Sequence, residues 1–199
     1  MSDADDARDE DYAPDPNDYP ELLTVARFAG LVKSVPWFAS VGEPLGRSEI
    51  ADARAYLDAL GFPDVHVADI AGWEEAEDAI KNPDFNDAWW EAEEQLRMAL
   101  YAEALTRASE EDVLLALTHV TGRASEVVHG AAAIAAARAG VADEGLIRAA
   151  AGAATQACYQ AALVLAAGGE PEHPFALKYR LFEAGRWPLG VVGATFSLF

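Results

Sequence analysis

A chain of 199 residues, about half of them hydrophobic, is long enough to bury a core, and its single cysteine excludes an internal disulfide. The net charge of −20 disfavours binding to nucleic acid or to anionic lipid, because both require a basic surface. No apolar run approaches the roughly 20 residues that cross a bilayer, and residues 1–20 are too acidic for a secretory signal. We therefore expect a soluble, cytoplasmic protein without membrane contact.

The negative charge is concentrated in two segments. Residues 1–18 carry eight acids and one arginine, and residues 64–112 carry fifteen acids and three bases. The first segment also contains Pro14 and Pro16 and has too few apolar side chains to offset the entropy of ordering. We therefore predict a disordered acidic tail at 1–18 and a single helical domain at 19–199.

The first half of that domain contains short elements with clear ends. Pro20 suits the first turn of a helix that continues to about Ser34. Ser48 is the predicted N-cap of a second helix, and Gly61 its stop. Residues 62–70 are predicted to be a loop or a short extended piece. An acidic helix then follows over 73–81.

Three long helices are predicted over about 86–108, 109–138 and 143–167. Ser109 and Asp143 have side chains that cap helices, while Gly140 and Gly168 follow two of the helix ends. Because the links are short, neighbouring helices should be antiparallel. A further helix is expected over 174–184, and the apolar tail 187–199 should dock as an extended strand or hairpin. The predicted fold is all-α: a bundle of three long helices with shorter helices on either side.

The second long helix has one apolar face. Spacing at 100° per residue predicts a core stripe there, formed by Val113, Leu117, Val120, Ala124, Val127, Ala131 and Ile134. Gly130 and Gly152 would be nearly opposite in an antiparallel pair of helices. With Ala133 and Ala153 they predict either a close helix contact or self-association through small-residue faces.

Metal-binding side chains cluster on the other side of the same helix. His119, Glu126 and His129 lie within about 80° of one another, and Glu126 and His129 have the three-residue spacing of helical metal sites. Glu91 and Glu94 on the preceding helix would reach the same depth if the two helices formed a hairpin. Imidazole and carboxylate ligands suit zinc or ferrous iron. Arg123 paired with Glu126 on a solvated face is the alternative interpretation.

A ferritin-like di-iron site would need a second Glu-x-x-His pair and two more glutamates. The third long helix offers no such ligands, and the remaining histidine, His173, lies in a turn. The metal hypothesis is therefore restricted to one zinc or iron ion, or to an incomplete di-iron site.

Residues Glu74, Glu75, Glu77 and Asp78 form the densest acidic cluster of the central segment. A solvated helix face explains it, and so does a contact surface for a basic protein. The basic and aromatic residues of 175–193 are predicted to be a recognition patch, a clamp for the acidic region, or packing for the tail. The leading hypothesis is a non-catalytic interaction or accessory protein with no cofactor. A helical metalloprotein is the second hypothesis.

Overall fold

The computed structural model describes residues 20–199, and the predicted disorder of residues 1–18 lies outside them. The described chain is mainly helical, as predicted. Its helices are α1 (Pro20–Leu31), α2 (Arg47–Leu60), α3 (Trp73–Ile80), α4 (Asp87–Ala104), α5 (Glu110–Arg138), α6 (Glu144–Ala166) and α7 (Pro174–Glu183). A short 3-10 turn, Val32–Ser34, extends α1. Three short strands complete the fold: β1 (His66–Asp69), β2 (Pro188–Val192) and β3 (Thr195–Leu198).

Side-chain caps fix the beginnings of the three long helices. Asn86 Oδ1 accepts the backbone N–H of Trp89 at 2.9 Å, and Asp143 Oδ1 accepts that of Leu146 at 2.8 Å. Ser109 Oγ accepts the N–H of Asp112, three residues into α5, at 3.2 Å. Each bond satisfies an N–H that has no partner within its helix. The local sequence therefore determines where these helices begin.

The predicted N-cap of α2, Ser48, is wrong. The helix begins one residue earlier than Ser48, and Gly46 occupies the capping position. The carboxylate of Glu49 accepts the N–H of Gly46, and no side chain at the capping position accepts an N–H of the first turn.

Helix α6 is the central helix of the fold. It packs against α5, α7, α1 and α4, whereas α5 packs against α6 and α1. Within residues 20–199, α4 and α5 make no extended contact with each other, so the expected hairpin of these two helices is not formed along their length. The outer faces of α4 and α5 are therefore separate surfaces.

The apolar tail forms a hairpin, as predicted, and one strand of that hairpin pairs with the earlier strand β1. The sheet order is β1-β3-β2, with β3 parallel to β1 and antiparallel to β2. His66 of β1 is paired with Thr195 of β3. Beyond β3, Trp187 and Phe199 exchange two backbone hydrogen bonds, of 2.5 and 3.0 Å. The sheet thus connects the segment after α2 to the segment after α7.

The core consists of two hydrophobic clusters. The larger one is built on α6 and includes alanines of α5 and α6 together with the aromatic side chains of Trp37, Trp73, Phe182 and Trp187. The smaller one joins α2, α4 and α7 to the sheet through Tyr56, Trp89, Leu181 and Phe196. Because the buried side chains of α6 are mainly alanine, the neighbouring helices can pack close to it.

The loop 35–46 is held against the body of the protein by Arg186, whose side chain is almost fully buried. Its guanidinium donates to Glu49 Oε1 at 2.5 Å. It also donates to three main-chain carbonyl oxygens of the loop, those of Ser40, Glu43 and Pro44. A planar group with five donors suits such a set of acceptors. This arginine therefore links the loop, α2 and the turn after α7.

The core stripe of α5 is predicted correctly except at its last position. Val113, Leu117, Val120 and Ala124 are buried, and Val127 and Ala131 are partly buried against the core. Val128, Ala132, Ala135 and Ala136 are buried as well. Ile134, predicted to face the core, is 57% exposed.

Gly130 and Gly152 do not produce a close approach of α5 and α6. A Cβ added at either position would meet no heavy atom within 4 Å. Alanines, among them Ala132 and Ala154, make that interface instead. Self-association through the small-residue faces stays a prediction.

Candidate functional site

The three predicted ligands on α5 are exposed. His119, Glu126 and His129 all lie on the side of the helix opposite the buried stripe, as the spacing predicts. Glu126 accepts a hydrogen bond from Arg123 Nη1 at 3.3 Å in an ion pair. The solvated pairing named as the alternative interpretation is therefore present.

Two of these residues border a cavity between α1 and α5. The cavity has a volume of about 150 Å³, and His119 and Glu126 line it while His129 does not. Lys33 and Arg123 also line it, so two permanent cations share the space with one carboxylate. Such a charge balance disfavours a metal cation at this position.

The two predicted ligands on α4 do not line this cavity, and α4 packs mainly on α6 and α2. Glu94 forms an ion pair with Arg97, whose Nε donates at 2.9 Å, and Glu91 is exposed. Among residues 20–199, no three His, Cys, Asp or Glu side chains are grouped in a way that could hold a metal ion. Metal binding stays a prediction, without support from this arrangement.

Half of the acidic cluster on α3 has partners within the protein. Glu75 Oε2 accepts the N–H of Ala71 at 3.1 Å, and Glu77 forms an ion pair with Lys81. Glu74 and Asp78 are exposed, and no ion pair ties them to another described residue. Glu74 and Arg138 also border a cavity of about 520 Å³. Glu74 and Asp78 are therefore the two carboxylates of the predicted cluster without an ion pair or hydrogen bond to another described residue.

Helix α4 presents a second surface that sequence reasoning missed. Trp90 is 55% exposed and Met98 is 60% exposed. Asp87 and Glu91, three residues before and one after Trp90, are exposed and have no ion pair within the part of the chain that the structure describes. Tryptophan is highly buried on average in folded proteins, so an exposed one beside unpaired carboxylates is informative. The combination defines what we call the α4 face: Asp87, Trp90, Glu91, Glu94, Met98 and Leu105.

The other four tryptophans of the chain are buried. Their exposed fractions are 6% or less, for Trp37, Trp73, Trp89 and Trp187. The pair Trp89-Trp90 at the start of α4 thus has one ring in the core and the next in solvent. Adjacent residues of a helix point 100° apart, so Trp89 and Trp90 cannot both face the core. That spacing could have predicted this surface from the sequence.

A buried polar centre lies where α2, α4, α6 and α7 meet. Glu93, 8% exposed, accepts two hydrogen bonds from Lys178 Nζ at 2.7 and 2.9 Å. Tyr56 donates its hydroxyl to the same carboxylate at 2.6 Å, and Trp89 Nε1 donates to Tyr56 at 2.8 Å. Gln160 Nε2 adds a longer contact of 3.5 Å. A charge at this depth is stable only with such partners.

The electrostatics of the buried centre keep its tyrosine protonated. Burial first, and then the negative charge of Glu93 beside it, raise the pKa of Tyr56 well above its usual range. Lys178 also stacks over the ring of Trp89, 5.4 Å from its centroid. Of the three roles proposed for 175–193, packing is borne out by the buried side chains of Tyr179, Phe182 and Trp187. Lys178 adds one ion pair to the acidic region through Glu93.

The lone cysteine has no features of a nucleophile. Cys158 is fully buried in α6, and burial raises the pKa of its thiol to about 12. The reactive thiolate form is negligible at neutral pH.

Comparison of the chain with family models, with curated proteins and with solved structures finds no match. No helix among residues 20–199 is both long enough and apolar enough to cross a membrane.

Proposed function

We propose that the chain is a non-catalytic interaction protein whose acidic surface binds a basic protein segment. The observation that carries the proposal is the exposed Trp90, set between the unpaired carboxylates of Asp87 and Glu91. The proposal adds the α4 face to the acidic contact surface first expected at Glu74, Glu75, Glu77 and Asp78.

The chemistry of this face favours a partner that carries arginine or lysine. A cation can stack on an indole ring while its charge is balanced by a neighbouring carboxylate. Tryptophan is the residue most often found at the centre of protein interfaces. Met98 and Leu105 supply apolar area beyond the charged end, and Met adapts to many shapes. A basic amphipathic helix carries both the cations and the apolar side chains that would bind this face.

A fluorescence experiment tests the proposal directly, because Trp90 is the one exposed tryptophan of the described chain. The full chain is titrated with a synthetic amphipathic peptide that carries arginine on one face and leucine on the other. We expect saturable binding that protects Trp90 from quenching by acrylamide. The Kd should rise several-fold between about 50 and 300 mM salt, since salt screens exposed charges.

Matched variants identify the surface. Trp90→Ala should weaken binding about 30-fold, the loss expected of an interface hot spot. The double variant Asp87→Asn, Glu91→Gln should weaken it about fivefold, while Glu170→Gln with Glu172→Gln removes the same charge elsewhere and should have no effect. Neutralising Glu74 and Asp78 then measures how much α3 contributes to the binding affinity. Binding that is insensitive to salt and to all of these substitutions would contradict the proposal.

A further inference from the structure

The cavity between α1 and α5 is formed by two complementary helix faces. From the first helix and its 3-10 extension come Ala26, Ala29, Gly30 and Lys33, and from α5 come His119, Arg123, Glu126 and Val127. Small residues on α1 leave the space open, and polar side chains stand around it. A Cβ added at Gly30 would meet no atom within 4 Å, which shows how much room is left beside the helix.

The positive groups that line the cavity have unused donors. Within residues 20–199, the side chain of Lys33 has no hydrogen bond or ion pair. Arg123 uses one nitrogen for Glu126 and keeps the remaining N–H groups of its guanidinium free. Of the eight lining residues, only Glu126 is acidic.

Two carbonyl groups at the end of α1 already have side-chain donors. Ser34 Oγ donates to the carbonyl of Leu31 at 2.7 Å, and Trp37 Nε1 donates to that of Val32 at 2.9 Å. These bonds weaken the negative end of the helix dipole near Lys33.

We propose that this cavity binds a phosphate-sized oxyanion between Lys33 and Arg123, with His119 as a third polar contact. A volume of about 150 Å³ equals that of about five waters at roughly 30 Å³ each, so an oxyanion fits with part of its hydration. The ligand chemistry is thus the opposite of the cation that the Glu126 and His129 spacing suggests.

Calorimetric titration of the full chain with inorganic phosphate, in a buffer free of other oxyanions, tests the site. We expect saturable binding with a Kd of about 1 mM or below. Lys33→Gln and Arg123→Gln should each weaken binding at least fivefold. Methyl phosphate serves as a second probe: equal affinity identifies the end of a phosphate ester as the ligand, and weaker affinity identifies the free ion.

Two further variants separate the anion site from a metal site and from general charge attraction. Glu126→Gln should strengthen phosphate binding, because it removes the competing carboxylate, whereas it would weaken binding of zinc. Gly30→Leu should fill the cavity and abolish binding, while Gly130→Leu, at another exposed helical glycine with no neighbour within 4 Å, should not.

The proposal is overturned if the wild-type chain shows no saturable heat up to about ten times the expected Kd. It is equally overturned if Lys33→Gln binds phosphate as well as the wild type does. Lys33 has no described partner to lose, so its substitution tests the ligand contact without disturbing a contact within the fold.

Discussion

Among single residues, the buried Glu93 carboxylate depends most on its partners. We predict that Lys178→Met lowers the free energy of unfolding by about 3 kcal/mol, because it leaves a buried charge without its counterion. The two hydrogen bonds from Tyr56 and Gln160 hold the cost at the lower end of the usual range. Urea denaturation measures it.

The exposed pair Arg123 and Glu126 is the control for that prediction. Glu126→Gln should cost less than about 1 kcal/mol, the usual value for a surface ion pair. Adding Glu93→Leu to Lys178→Met should restore part of the lost stability, since the pair is then replaced by apolar groups. Equal costs for the buried and exposed changes would show that the Glu93 centre is open to water.

A second prediction concerns pH and the Glu49 carboxyl. Burial alone would raise its pKa, but the hydrogen bonds from Arg186 and from the Gly46 N–H, with the charge of Arg186, lower it overall. A lowered pKa contributes stability above the ordinary carboxyl value of about 4.3, and the contribution is lost as the pH falls through the folded-state pKa. The wild type should therefore exceed Glu49→Gln in stability at pH 7, and this difference should shrink below about pH 4.

Sequence reasoning missed Glu93, although helical spacing indicates it. Glu93 stands in an acidic run between Glu91 and Glu94, but it lies four residues after Trp89 and seven before Leu100, and therefore shares the azimuth of two buried side chains. Its partner Lys178 is 85 residues away, so the pairing depends on the packing of α4 against α7 and α6. His119 and Glu126, by contrast, were placed correctly on one face by helical spacing alone.

At the scale of elements, α5 offers a matched test of which residues face the core. Val128 is 1% exposed and Ile134 is 57% exposed, although the sequence pattern favours Ile134 as a core residue. Val128→Ala should cost about 2 kcal/mol and Ile134→Ala about 0.5 or less. Both replace a β-branched residue in the same helix, so the change in helix propensity cancels. Thermal unfolding gives the comparison, and a larger loss at Ile134 would contradict the observed packing.

The error in the α5 stripe has a cause in composition. Residues 131–137 consist of alanine except for Ile134. Because Ile134 is the one large apolar side chain in this stretch, the sequence pattern predicts that it faces the core, whichever way it points. The beginnings of the long helices were easier to predict, because Asn86, Ser109 and Asp143 each cap a backbone N–H only three residues further along the chain. The parallel pairing of β1 with β3 joins segments more than 120 residues apart, and no local pattern announces it.

For the whole molecule, Cys158 is a built-in reporter of global opening. It is fully buried in the central helix, so a thiol reagent should reach it only when the core opens. Where reclosing is faster than reaction, the labelling rate follows the open population. Lys178→Met, destabilised by about 3 kcal/mol, should then label about 150-fold faster than the wild type. Equal labelling rates would show that α6 opens locally.

The position of β3 between β1 and β2 has a consequence for synthesis. Once the ribosome has made β1, it adds about 125 more residues before the partner strand exists, which takes roughly 6 to 25 seconds at ordinary rates. During that interval Tyr56, Leu57 and Val65 lack Phe196 and Leu198, their neighbours in the smaller core cluster. The nascent chain therefore exposes an apolar surface and an open strand edge, and it is in this window that a chaperone would be needed.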